Sequence, residues 1–86
     1  MPKYEPDFVD EAELIDSLRR GGDVEFLYNG KKYSITPYNG SICVCEFYNE
    51  ASEKIYADPA EAVGYEIEGK RIGDILQDMK VLFRSL

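Results

Sequence analysis

The chain has 86 residues, 44% of them apolar and 31% charged, enough for one domain with one modest core. Seventeen acids against ten bases, with no histidine, give a net charge of −7. That balance argues against a nucleic-acid or anionic-membrane surface, and the missing imidazole removes the usual neutral-pH general base and the commonest metal ligand.

At the N-terminus, Met1–Asp7 lacks the apolar stretch of a secretory signal, and residues 1–8 read as a flexible arm of a single domain spanning 1–86. The first helix is expected at 11–20. Asp10 is its N-cap and Glu13, three residues on, completes a variant capping box. Val9 and Leu14 hold the two positions of a hydrophobic staple. Leu14, Ile15 and Leu18 form the buried stripe. Arg19-Arg20 close the last turn, where the macrodipole favours cations, and Gly21-Gly22 end it.

Two Asn-Gly pairs follow, the strongest short hairpin signal because both turn residues need φ > 0. With Asn29-Gly30 as a two-residue loop, Phe26 opposes Tyr33 and Val24 opposes Ile35, all on one face. Asn39-Gly40 leads into the strand Ile42–Tyr48, read as a central strand, and here two registers stay open. A two-residue loop turns Ile42 and Val44 inward; a three-residue loop turns Cys43, Cys45 and Phe47 inward. Both faces of this strand are apolar, which suits a strand covered on both sides or one with a face reserved for a partner.

Asn49–Ser52 reads as a turn and Glu53–Ala57 as a fourth strand. Asp58-Pro59 is a helix start, giving about one turn before Gly64. Tyr65–Glu68 is a short extended piece turned by Gly69-Lys70. From Ile72, apolar residues at 75, 76 and 79 recur at helical spacing, predicting a C-terminal helix over 72–80; residues 81–83 either continue it or add an edge strand. The expected fold is therefore α+β: an antiparallel three- or four-stranded β-meander with the N-terminal and C-terminal helices packed on it. The expected core is Leu14, Ile15, Leu18, Val24, Phe26, Tyr33, Ile35, Val44, Ile55, Ile72, Ile75, Leu76 and Met79.

No catalytic constellation emerges. Serine and cysteine triads need a histidine, and the G-x-x-x-x-G-K and strand-linked G-x-G-x-x-G phosphate loops are missing. Cys43 and Cys45, as i and i+2 on one strand, lie roughly 6–7 Å apart, too far for an unstrained disulfide; they read as reduced core thiols in a cytoplasmic protein. No second thiol pair completes a zinc site. Glu46 is expected to be exposed or paired with Lys32 or Lys54. The tyrosines suit packing at the core margin or a protein-binding face, since base-stacking platforms sit in basic grooves. The expectation is no cofactor, no metal and no enzymatic activity.

The charge is not uniform. Residues 1–18 carry six acids and one base, and residues 46–68 carry seven acids and one base; residues 19–45 and 69–86 are each net +2. Acidic surfaces keep small proteins soluble. They also draw in basic partners. The candidate protein-binding residues are Asp10, Glu11, Glu13 and Asp16, then Glu50, Glu53, Asp58, Glu61, Glu66 and Glu68, with Glu5, Asp7 and Glu46 beside them. If the first helix lies near 46–68, the two segments form one negative surface.

The Glu25–Ile35 hairpin (E-F-L-Y-N-G-K-K-Y-S-I), Asp58–Ala62 and the Ile67–Ile72 turn (I-E-G-K-R-I) together resemble small acidic proteins of Gram-positive bacteria and their phages, over about residues 11–80. That family brings no catalytic residues to transfer. The resemblance implies a bacterial or phage cytoplasmic setting, and small acidic phage proteins include inhibitors of host defence nucleases, among them anti-CRISPR proteins. The resulting expectation is a non-enzymatic, acidic protein-binding module, a nucleic-acid mimic that covers a basic surface on a protein partner. The alternative is a housekeeping protein acting as an adaptor domain, or as a homodimer through the second face of the strand that bears Cys43.

Overall fold

The computed structural model describes residues 8–85; most of the arm expected at 1–8 lies outside them, and Phe8 is buried, with the Arg84 guanidinium 3.9 Å from its ring centroid. Helix α1 (Glu11–Arg19) begins where the capping residues place it. The Asp10 carboxylate accepts from the Glu13 N–H at 2.9 Å. The Glu13 carboxylate reaches one residue further back than in the usual box and accepts from the Val9 N–H at 2.7 Å. This turn leaves Val9 74% exposed, so the expected staple does not form, and Phe8 supplies the buried apolar group in its place.

Strands β1 (Val24–Tyr28), β2 (Lys31–Tyr38), β3 (Ser41–Glu46) and β4 (Asn49–Tyr56) form an antiparallel meander. Phe26 opposes Tyr33 and Val24 opposes Ile35, as the first Asn-Gly turn dictates; the Phe26 and Tyr33 rings stack with centroids 5.4 Å apart. The second Asn-Gly makes the two-residue turn, setting Val44 opposite Ile35 and turning Ile42 and Val44 inward. Both asparagines and both glycines have positive φ. β3 is an inner strand as expected, paired with β2 on one side and β4 on the other.

The third hairpin corrects the sequence reading. Phe47 and Tyr48 form the turn, with Tyr48 at φ +63°, and β4 already starts at Asn49, where a turn was expected. The Phe47 N–H donates to the Lys32 carbonyl at 2.8 Å, so β3 stays paired to β2 until the reversal. Ser52 stitches the start of β4: its hydroxyl accepts from the Glu46 N–H at 2.8 Å and donates to the Asn49 carbonyl at 2.6 Å.

A one-turn helix, α2 (Pro59–Ala62), then begins on an Asp58 cap, whose carboxylate accepts from the Ala60 N–H at 2.8 Å. A small hairpin, β5 (Glu66–Ile67) with β6 (Lys70–Arg71), follows, turned by Glu68-Gly69. The expected C-terminal helix is absent. Ile72–Asp74 make a single 3-10 turn, and the chain then extends into β7 (Lys80–Arg84), which pairs with β1 as the fifth strand in the order β4-β3-β2-β1-β7. Ile72, Ile75, Leu76 and Met79 are buried as expected, but from an irregular segment. Gly73 weakens a helix at its start by about 1 kcal/mol against Ala, whereas Val81 and Phe83 are good strand formers and the segment satisfies the N–H and C=O groups on the open edge of β1.

α1, α2, the β5–β6 hairpin and the 72–79 segment cover one face of the sheet, and the core lies between, from Leu14 and Leu18 to Val24, Phe26, Ile35, Val44 and Val81. Two expected core residues are placed otherwise. Ile15 is partly buried at the margin. Ile55 opposes Cys43 on the sheet's other face and is 50% exposed.

Candidate protein-binding surface

The covering layer gathers the acids. Residues 8–22 and 57–79 together hold ten acids and four bases, net −6, while the strands and their turns (23–56 and 80–85) hold five of each, net zero. α1 packs against α2, and side-chain contacts join the parts. Arg19 reaches Asp58 at 3.3 Å, Arg71 reaches Glu11 at 2.9 Å, and the Gln77 amide donates to the Val9 carbonyl at 3.5 Å; Arg71 also meets Asp74 of its own segment at 3.4 Å. The acidic stretch around α1 and the one beginning at Asp58 thus adjoin on one side of the molecule.

Within this layer the acids divide by task. Asp10, Glu13 and Asp58 spend an oxygen on backbone N–H groups at helix starts. The cap bond from Ala60, followed by the Arg19 guanidinium, holds the Asp58 carboxyl below its ordinary value. Glu11 pairs with Arg71, Asp16 with Arg20 at 3.0 Å, and Glu68 accepts from the Asn29 amide at 3.2 Å. Glu61 and Glu66 are exposed, and no ion pair engages them among the described residues.

Glu50 and Glu53 are not part of this layer. Both lie on the edge strand β4, and Glu53 is next to Cys43 on the sheet's uncovered side. Glu5 and Asp7 lie outside the described residues. Glu46 is half-buried opposite Tyr33; of its two expected partners, Lys32 instead pairs with Glu25 at 3.8 Å and lies 4.4 Å from the Phe47 ring centroid, and no ion pair among the described residues joins Glu46 to Lys54. Burial first, and Glu46 and Glu68 next, push the Tyr33 phenol up.

Both cysteines are free thiols on the uncovered side of β3. The Cys43 thiol is pushed up to about 11 by burial, with a hydrogen bond and repulsion from Glu53 adding to it. The Cys45 thiol donates to the Glu46 carbonyl at 3.3 Å. Among the described residues there is no pocket and no group of three acidic or thiol side chains placed to share a metal ion. No described helix is long and apolar enough to cross a membrane.

Sequence reasoning found the acids but not their division between the covering layer and β4, because segment sums carry no information about sides. It also placed Tyr48 at the end of a strand, whereas Tyr48 is a fully exposed turn residue; an aromatic pair gives no turn signal. Comparison with family models, with curated proteins and with solved structures gave no match.

Proposed function

We propose that this protein works by docking rather than by catalysis: its acidic layer seats against a basic, nucleic-acid-binding surface of a protein partner and occupies it in place of phosphates. The observation that carries this reading is the separation of charge, net −6 on the layer formed by residues 8–22 and 57–79 against zero on the sheet. A one-sided field of this kind orients a basic partner during approach and speeds its capture. Carboxylates spaced along helices and a hairpin offer repeated acceptors to lysine and arginine, the groups that neutralise phosphates in nucleic-acid grooves.

The test uses Glu61 and Glu66, which are exposed and outside the ion pairs of the layer. Immobilised wild-type protein should capture its partner from a bacterial lysate at low salt and release it as salt rises toward 1 M, where the Debye length falls to about 3 Å. Glu61→Lys with Glu66→Lys should cut capture by about tenfold or more at unchanged thermal stability. Capture that survives both salt and charge reversal overturns the proposal.

A further inference from the structure

The side of the sheet turned away from the covering layer has its own composition. The register places Glu25 and Leu27 of β1, Lys32, Ser34 and Thr36 of β2, Cys43 and Cys45 of β3, Ile55 of β4 and Phe83 of β7 on it. None of these residues is buried, and none joins the core cluster. Ile55 at 50% and Phe83 at 43% are large apolar side chains left in water on the two edge strands. Cys43, opposite Ile55, and Cys45 extend the apolar surface on that edge; Ser34 and Thr36 lie between them and β1, where Leu27 sits between Lys32 and Lys80 and Glu25 opposes Phe83. An apolar patch on a sheet face that no described element covers points to an interaction surface.

The charges decide what fits it. The face carries Glu25, Lys32, Glu53 and Lys80, two of each sign; Glu25 and Lys32 pair with each other, Glu53 is at Cys43, and Lys80 opposes Leu27. A basic partner finds no net field here to follow, and its natural seat is the net −6 layer on the other side. A second copy of this chain meets the opposite situation. Its acidic layer is repelled by ours, and the charge-balanced face is the one broad side it can approach without that repulsion. Packing face to face about a two-fold axis leaves both acidic layers on the outside, as far apart as the pair allows.

We propose that this face is the interface of a homodimer, formed by the apolar, charge-balanced sides of two sheets centred on Leu27, Cys43, Cys45, Ile55 and Phe83. The inference does not rest on the docking reading, and the two respond to salt with opposite sign. Screening weakens capture of a basic partner, but it relieves repulsion between two net −7 chains and leaves apolar contact intact.

Sedimentation equilibrium of the full chain, from about 1 μM to about 1 mM, tests it. The expected result is a reversible dimer that holds or tightens as NaCl is raised. Ile55→Glu, Ile55→Lys and Phe83→Glu should each weaken dimerisation at least tenfold, regardless of the sign introduced, while circular dichroism and the melting of dilute protein stay as in wild type. Glu61→Lys with Glu66→Lys should leave dimerisation in place. A chain that stays monomeric at the highest concentration overturns the proposal, as does a dimer that dissolves in salt or ignores Ile55 and Phe83. A monomer whose Ile55→Glu variant loses lysate capture would assign the face to another protein and overturn it equally.

Discussion

Tyr48 holds the left-handed conformation that the other hairpin turns reserve for asparagine, glutamate and glycine: Asn29, Asn39 and Glu68 each precede a glycine of positive φ, and Tyr48 alone follows a phenylalanine and precedes no glycine. Its ring is fully exposed and touches Phe47 edge-on, so little packing offsets the backbone cost. Tyr48→Asn, which tolerates this conformation, should stabilise the protein by about 0.5–1 kcal/mol in denaturant unfolding. Gly22 is limited by space. A methyl there would lie 2.5 Å from the Ser85 carbonyl oxygen and 2.9 Å from that of Ser17, both backbone atoms, so Gly22→Ala should destabilise by about 1–3 kcal/mol. For Cys43, the raised folded-state value means that the unfolded chain loses its proton first. Its contribution to stability is therefore flat below the ordinary value of 9.0 and falls as pH climbs from there toward about 11. Alkylation by iodoacetamide at pH 8 should be slower at Cys43 than in the unfolded chain, because the thiolate is the nucleophile.

At the scale of elements, what was legible depended on whether a residue type forces a backbone state. The Asn-Gly pairs marked two hairpins and fixed the register of β1 against β2; that of β2 against β3 stayed open between a two-residue and a three-residue loop, and the structure has the former. Asp10 and Asp58 marked both helix starts, and Asp10→Ala should cost about 1 kcal/mol of unfolding free energy. Asp58 offers a pH signature. Its lowered carboxyl lends stability that is present above the ordinary carboxylate range and lost as pH falls through the depressed midpoint. A carbon-detected NMR titration should find Asp58 protonating below its unfolded value, and Arg19→Ala should raise that midpoint only partway, because the Ala60 bond remains. The illegible elements lacked such markers. Phe47-Tyr48 carries no turn residue, so β4 was read four residues late. Apolar positions 72, 75, 76 and 79 match helical spacing, yet tertiary pairing with β1 decided the C-terminal segment. Amides of β7 that bond to β1 should accordingly show slow hydrogen exchange, which a frayed terminal helix would not give.

Over the whole molecule, about 35 × 27 × 20 Å, one division organises everything else: an acidic layer on one side and a charge-balanced, partly apolar sheet face on the other. The sequence foreshadowed this only as alternating segments. It could not show that 8–22 and 57–79 share a side, because that depends on α1 meeting α2 and Arg71 meeting Glu11. Nor could the strand that bears Cys43, apolar on both faces, reveal which face was covered. The account assigns the two sides different occupants, a basic groove for the layer and a second copy for the sheet. Competition tests the first assignment most directly. With the partner captured from lysate held on immobilised protein at low salt, duplex DNA should release it in proportion to DNA concentration, because both ligands claim the same lysines and arginines. A partner that binds DNA and this protein together, with neither displacing the other, would contradict the claim that the carboxylates stand where phosphates bind.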